Sequence, residues 1–266
     1  MSEIHPTAIV DRQAKIGSGV VIGPYCVIGP DVSLGEGCRL HSHVVIEGKT
    51  TIGKGCEIFP FASLGHIPQD LKFSGEETEL VVGDNNRIRE YVTMNTGTQG
   101  GGGVTRVGSN GLFMAQSHVA HDCIVGDNVI LANSATLGGH CIVGDHAIIG
   151  GVSAIHQFVR IGEYSFVGGM SGIENDIIPF GMAMGVRSGL SGLNLVGMKR
   201  HGFPREQIHN VRKAYQMLFG SDEGTLQERV EQVEKTYPDD PCVMRIVTFI
   251  KADAPRAIAV PRQGEG

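Results

Sequence analysis

Residues 16 to 35 read Ile16-Gly17-Ser18-Gly19-Val20-Val21-Ile22-Gly23-Pro24-Tyr25-Cys26-Val27-Ile28-Gly29-Pro30-Asp31-Val32-Ser33-Leu34-Gly35. An aliphatic residue returns at every sixth position, Gly follows it, and a small residue stands four places after it, as at Val20, Cys26 and Val32. The pattern reaches back to Ile4 and Val10, runs on to Leu64, and resumes at Val82 and Ile88 in the same phase. After a shift of one residue, a second run extends from Val107 to Ile173. A helix repeats near 3.6 residues and a strand at 2, so neither alone gives a period of six. Short strands joined by corners do, and they wind into a parallel β-helix in which each coil pairs with the one before. Gly follows the aliphatic slot fourteen times, which marks a position needing either φ > 0 or close backbone packing.

Composition agrees with a narrow prism of small residues. Among 266 residues there are 39 glycines and no Trp, and aromatics make up only 6%. A hydrophobic content of 41% argues against disorder, and the absence of a strict third-residue Gly excludes collagen. The net charge of -6 gives no general attraction to nucleic acid or anionic lipid. No run of about 18 apolar residues occurs, so a soluble, cytoplasmic protein without a transmembrane segment is expected. Five of the six cysteines, Cys26, Cys38, Cys56, Cys123 and Cys141, occupy the small slot and read as reduced core filler rather than disulfides or metal ligands.

The repeat predicts a β-helix over residues 1–185, with loop insertions at 66–79 and 95–106 where function tends to sit. Helical spacing then appears in Ile208, Val211, Tyr215 and Leu218 behind Pro204, in Leu226, Val230 and Val233, and in Val243, Ile246, Val247 and Ile250. Residues 186–266 therefore read as a helical domain with a loose tail from Pro261. The outward slot of the second run holds Leu112, Ile124, Ile130, Ile142, Ile148 and Phe166, an apolar stripe that points to a subunit interface. The repeat resembles that of the hexapeptide-repeat transferases, which implies a left-handed parallel β-helix with 18 residues per coil.

An 18-residue coil turns spacing into geometry. Gly139 follows His121 by 18 residues and Gln157 follows Gly139 by 18, so the three stack in one column. His140 and His156 fall one residue to either side of it, and His118 lies three residues before His121. These side chains share a groove about 10 Å long, bordering a neighbouring subunit if His118 belongs to the apolar stripe. Solvated corner histidines and a zinc site compete with a catalytic reading. Against zinc, the cysteines are committed to the core, Asp122 is the only carboxylate beside the histidines, and the partners of His121 are Gly139 and Gln157. A phosphate-binding loop at Gly48-Lys49-Thr50 fails because His43 stands where its first Gly belongs. General base chemistry by a neutral imidazole, deprotonating a hydroxyl near pH 7, remains.

A narrower resemblance rests on Gln69-Asp70-Leu71-Lys72, Arg87-Ile88-Arg89-Glu90, Val104-Thr105-Arg106-Val107-Gly108, His118-Val119-Ala120-His121-Asp122-Cys123, Leu137-Gly138-Gly139-His140, Ile155-His156-Gln157-Phe158, and Gly192-Leu193-Asn194 through Lys199-Arg200-His201-Gly202-Phe203. In this order they resemble the acyl-carrier-protein-dependent UDP-N-acetylglucosamine O-acyltransferases, over about residues 4 to 220. That resemblance implies transfer of a 3-hydroxyacyl chain from acyl carrier protein to the sugar 3-hydroxyl of UDP-N-acetylglucosamine, the first step of lipid A synthesis, by a homotrimer without cofactor or metal. It makes His121 the base, Asp122 its orienting partner and the Gly139 N–H the oxyanion donor. Asp70 and Lys72 are expected to reach the sugar across a subunit boundary, and His118, His140, His156, Gln157 and Asn194 to line the substrate sites. Gly169 falls in the segment that limits acyl length, and Arg200 belongs to a basic group, with Lys199, Arg205, Arg212 and Lys213, suited to an acidic carrier protein. His201 and Thr96 stand where many family members carry Arg. An acetyl-CoA-dependent hexapeptide acetyltransferase and a non-catalytic β-helix scaffold are the alternatives.

Overall fold

The computed structural model describes residues 2–186, 188–220 and 223–261. The first two thirds form a left-handed parallel β-helix whose three faces are parallel sheets. Strands are mostly two residues long, and each pairs with the strand one coil away: Ile4 with Ile22, Ile22 with Leu40, Ile130 with Ile148. The aliphatic slot and the small slot both point inward, so Ile22, Cys26, Ile28, Val44 and Ile46 are at most 1% exposed. Loops interrupt this register twice. Glu57 pairs with Arg87 and Glu79 with Val104, and the chain between Ser63–His66 and Glu79–Val82 is irregular. The second interruption is shorter than expected, because Val104–Val107 is already a strand against Glu79–Val82.

At all but one of its fourteen places, the exception being Gly65 with φ 81°, the recurrent Gly lacks an inverted φ and serves close packing instead. A Cβ on Gly35 would lie 2.6 Å from the backbone carbon of Gly53, the equivalent residue one coil on. Positive φ falls two residues after that slot, at Gly19 and Gly37 but also at Tyr25, His43, Phe61 and Tyr91. A left-handed residue with a side chain costs about 1–2 kcal/mol. The pairing of each coil with the next offsets that cost, and Tyr25, His43, Phe61 and Tyr91 add a ring ladder with centroids 5.0, 4.9 and 5.0 Å apart. All six cysteines are buried and unpaired, and the core thiols donate across coils, as from Cys26 to the His41 carbonyl at 2.9 Å.

The outward apolar residues do not form one stripe. Leu112, Ile130, Ile148 and Phe166 lie on one sheet, Ile124 and Ile142 on a second, and His118 on the third. Successive hexads turn a corner, so neighbours in the pattern face different directions.

The strand pattern passes residue 185: Leu190–Leu193 pairs antiparallel with Gly181–Ala183. Four helices follow, α1 (Leu195–Arg200), α2 (Arg205–Phe219), α3 (Leu226–Thr236) and α4 (Pro241–Lys251). Pro204 caps α2 rather than opening it, while a Thr225–Glu228 capping box starts α3 and the Asp240 side chain starts α4. Val211, Val230, Val233, Val243 and Ile246 make the shared apolar face. The chain then returns to the prism, where Pro261 bridges Leu190; the rest of the expected tail, 262–266, lies outside the described residues. Among the described residues no helix is long and apolar enough to cross a membrane.

Candidate active site

His121, Gly139 and Gln157 stack at one corner of three successive coils, as their spacing requires. The His140 N–H donates to the His121 carbonyl and the Phe158 N–H to the Gly139 carbonyl, both at 3.0 Å. A Cβ on Gly139 would lie 2.6 Å from His121 Nε2, so the imidazole rests directly on this glycine and no larger residue fits. The Gly139 N–H donates to no other group among the described residues, leaving a free donor beside Nε2.

Asp122 is held more tightly than any other side chain in the site. Its backbone is left-handed, with φ 59°, and its side chain is only 1% exposed. The Asp122 N–H donates to Thr105 Oγ1 at 2.8 Å. Its Oδ1 accepts from the Thr98 N–H at 2.8 Å, and its Oδ2 accepts from the Thr98 hydroxyl at 2.6 Å and lies 2.8 Å from His121 Nδ1. A buried carboxylate with these donors accepts the Nδ1 proton, which leaves the lone pair on Nε2, beside Gly139. Gly97 and Gly101 of the glycine loop close over the carboxylate: a Cβ at either would come within 2.8 Å or 2.0 Å of Asp122 atoms. Thr98, Gly97 and Gly101 carried no sequence signal beyond lying in the interruption at 95–106, whereas Thr105 belongs to the stretch Val104 to Gly108 that carries the family resemblance.

Two hollows are lined by residues of this corner. One, of about 400 Å³, is lined by His118, His121, Gly139, His156 and Gln157 together with Gln69 and Asn95. The other, of about 530 Å³, lies under the first loop and holds Asp70, Lys72, Thr98, His140 and Phe158. Asp70 and Lys72 thus line the same hollow as His140 of their own chain. Gln69 and Asn95 were not anticipated as lining residues; Asn95 Nδ2 donates to the Ile67 carbonyl at 3.1 Å, while its buried Oδ1 has no partner.

Burial favours the neutral form of His118 and His140. It pushes His118 below the ordinary imidazole range, with the neighbouring His121 adding to the shift, and Thr93 Oγ1 lies 2.7 Å from its Nδ1. His140 is likewise lowered by burial, against the pull of the Asp122 charge. The hydrogen bond that the Cys123 thiol makes to Cys141, then burial, push that thiol well above its usual range, which removes the nearest thiol as a nucleophile. One atom each from His121, Asp122 and His140 lie within 4.8 Å of one another, a trio a cation could in principle use. Here Asp122 Oδ2 already accepts from Thr98 and faces His121 Nδ1, so the donor set is organised for hydrogen bonding.

Three expected residues lie elsewhere in the single chain. Gly169 is exposed on the corner that carries Val152 and Met170. Asn194 caps α1, accepting from the Gly197 N–H and donating to the Tyr164 carbonyl, each at 2.9 Å. Arg200 ends α1, exposed beside the exposed Lys199. His201 packs edge-on against His146 and Tyr164 at 4.8 and 5.0 Å, and burial lowers its pKa. Thr96 is 3% exposed and accepts from the Thr78 hydroxyl at 2.9 Å, a setting without room for Arg.

A hexad-built β-helix with a buried Asp–His pair and an open backbone donor at one corner defines a hexapeptide-repeat transferase. The family described as bacterial transferase hexapeptide (six repeats) matches residues 13–48, and domain 2 of UDP-N-acetylglucosamine O-acyltransferase matches residues 176–259. The chain is 54% identical, over 98% of both chains, to the acyl-[acyl-carrier-protein]–UDP-N-acetylglucosamine O-acyltransferase of Caulobacter vibrioides. It superposes on the structure of LpxA from Acinetobacter baumannii with TM-score 0.91 at 44% identity, covering 96% of this chain and 99% of that one. The corresponding values for the UDP-N-acetylglucosamine acyltransferase from Campylobacter jejuni are 0.92, 38%, 98% and 100%. The chain belongs to the acyl-carrier-protein-dependent UDP-N-acetylglucosamine O-acyltransferase family.

Proposed function

We propose that this enzyme transfers a 3-hydroxyacyl chain from acyl carrier protein to the 3-hydroxyl of UDP-N-acetylglucosamine, the opening step of lipid A synthesis, with His121 as general base. The observation that carries the role of His121 is its Nδ1 at 2.8 Å from buried Asp122, which leaves Nε2 basic and open. The sugar hydroxyl gives its proton to Nε2 as its oxygen attacks the thioester carbonyl. The Gly139 N–H stabilises the oxyanion of the tetrahedral intermediate. Collapse breaks the C–S bond, and the imidazolium returns its proton to the departing thiolate. An activated donor makes an acyl-enzyme unnecessary. Asp70, Lys72, His118, His140, His156 and Gln157 bind the nucleotide sugar and acyl chain around this pair.

The site is completed by a neighbouring copy in a homotrimer. Gly169, Asn194 and Arg200 stand on other corners of the same chain, and Ile124 and Ile142 are 47% and 42% exposed on the face adjoining the His121 corner. Both support contact between prisms. The reaction is assigned to the cytoplasm, in keeping with its activated substrates and the unpaired cysteines.

Incubation of the purified protein with 3-hydroxyacyl carrier protein and UDP-N-acetylglucosamine, read by mass spectrometry, tests the reading. The acylated nucleotide sugar is the expected product, and its loss in His121→Ala with the fold retained assigns the base. Activity only with acetyl-CoA and a small acceptor moves the chain to the acetyltransferases. A protein unchanged by His121→Ala is a scaffold.

A further inference from the structure

Beyond α4 the chain folds back along the end of the prism as a strap. The Asp176 N–H donates to the Ala257 carbonyl at 2.9 Å, the Ala259 N–H to the Asp176 carbonyl at 2.8 Å, and the Leu190 N–H to the Val260 carbonyl at 3.1 Å. The anchor is rigid. Asp176 is fully buried and accepts from the Arg160 N–H and Nε at 2.8 and 2.6 Å, while the Arg160 guanidinium lies 4.4 Å from the Phe249 ring centroid of α4. Ala259, in the middle of the strap, is 1% exposed.

Arg256 heads this strap, one hundred residues after His156 in the chain, yet it reaches the groove. Its Nε donates to the Gln157 carbonyl at 3.1 Å, and its Nη2 lies 2.7 Å from His156 Nδ1. A guanidinium offers donors only. His156 Nδ1 must therefore present its lone pair, and the ring proton sits on Nε2. Nδ1 also lies 3.2 Å from the Gln157 carbonyl; both are acceptors, and the guanidinium bridges them.

We infer that Arg256 is a positioning residue that fixes His156 as an Nε2–H donor in the groove, offered to an acceptor oxygen of the nucleotide sugar. The inference rests on the proposed role of His156 in binding that substrate. Without the guanidinium, the ring is free to rotate and to carry its proton on Nδ1, against the Gln157 carbonyl. Arg256 touches neither His121 nor Asp122 among the described contacts, so its effect belongs to binding rather than to proton transfer.

Steady-state kinetics of Arg256→Met, Arg256→Lys, His156→Ala and the Arg256→Met/His156→Ala double variant test this. Arg256→Met is expected to raise KM for UDP-N-acetylglucosamine about tenfold, the size of one charge-assisted hydrogen bond, with kcat within about twofold. Lys, which can donate but not as a fork, is expected to recover part of the loss. The double variant is expected to be no worse than His156→Ala alone, because both changes break one linkage. An unchanged KM in Arg256→Met beside a raised KM in His156→Ala overturns the role of Arg256 and leaves that of His156 standing. Additive effects, or a fall in kcat at constant KM, overturn it as well. An unchanged KM in His156→Ala removes the substrate role of His156 and the inference with it. Nitrogen NMR of histidine-labelled wild-type protein, with the signal assigned by His156→Ala, needs no folded Arg256 variant: an Nε2–H tautomer is expected, and an Nδ1–H tautomer overturns the proposal.

Discussion

The carboxylate of Asp122 occupies the space that a side chain at residue 101 would take: a Cβ on Gly101 would lie 2.0 Å from Asp122 Cγ. The glycine loop is therefore a lid over the carboxylate, and its lack of side chains lets it close on Asp122, whose side chain is 1% exposed. Gly101→Ala is expected to lower kcat at least tenfold by displacing Asp122 from His121, while circular dichroism and the bulk of the unfolding transition stay close to wild type. Wild-type kcat in that variant defeats the lid reading.

Thr98 supplies two hydrogen bonds to the same carboxylate, of which the hydroxyl bond can be deleted. A hydrogen bond to a charged group contributes about 1.5–3 kcal/mol, so Thr98→Val is expected to reduce kcat roughly ten- to a hundredfold. KM should change little, since Thr98 acts on Asp122 and not on substrate. Serine at 98 restores the hydroxyl and should restore the rate.

The neutral histidines carry a pH signature. His118 and His140 are both lowered by burial in the folded protein, so below the unfolded value of about 6.5 the unfolded chain binds protons that the folded chain does not. Stability therefore falls as pH drops below about 6.5 and is unaffected by these groups above it. For His118 the facing groups are Thr93 and His121; for His140 they are Asp122, His121 and Asp70. Unfolding midpoints at pH 7.5 and 5.5 should differ less in His118→Gln than in wild type. An equal drop in both proteins assigns the acid sensitivity to other groups.

Two neighbouring glycines separate the repeat's two requirements. Gly37 has φ 71° with nothing near its missing side chain, whereas Gly35 meets the backbone of Gly53 at 2.6 Å. Gly37→Ala is expected to cost about 1–2 kcal/mol, the strain of one left-handed residue. Gly35→Ala forces adjacent coils apart and should cost more, on the upper side of the roughly 1–3 kcal/mol typical of overpacking. Denaturant midpoints of the two variants rank them, and the reverse order refutes the packing role.

The same contrast explains how much of this fold was legible from the chain. Every coil repeats one spacing, so a single stretch from Ile16 to Gly35 revealed the core, and counting by 18 placed Gly139 and Gln157 over His121. The apolar stripe was misread because hexads were followed along the sequence, while the coil turns each successive slot onto another face. Thr98, Gly101 and Arg256 left no periodic mark. The first two act through a loop whose shape exists only when closed on Asp122, and Arg256 arrives on a strap anchored by Asp176. Asn194, expected to line a substrate site, also meets two backbone groups of its own chain as a helix cap, a local use that its motif does not display.

That placement of Asn194 and Arg200 away from the groove yields the sharpest test of the proposed assembly. If His121 of one copy works with Arg200 of a neighbour, each site needs a contribution from two chains. His121→Ala and Arg200→Ala, each purified alone, should both be impaired, the first in kcat and the second in KM. Co-expressed in equal amounts, they form mixed trimers in which about a quarter of the sites draw an intact His121 and an intact Arg200 from the two chains. Activity should then rise to about that fraction of wild type at limiting substrate. If both residues serve the same chain's site, no mixture contains a complete site and activity stays at the average of the two variants. Sedimentation of the mixture establishes that hybrids formed, so a failure to complement counts against the shared site and not against the mixing.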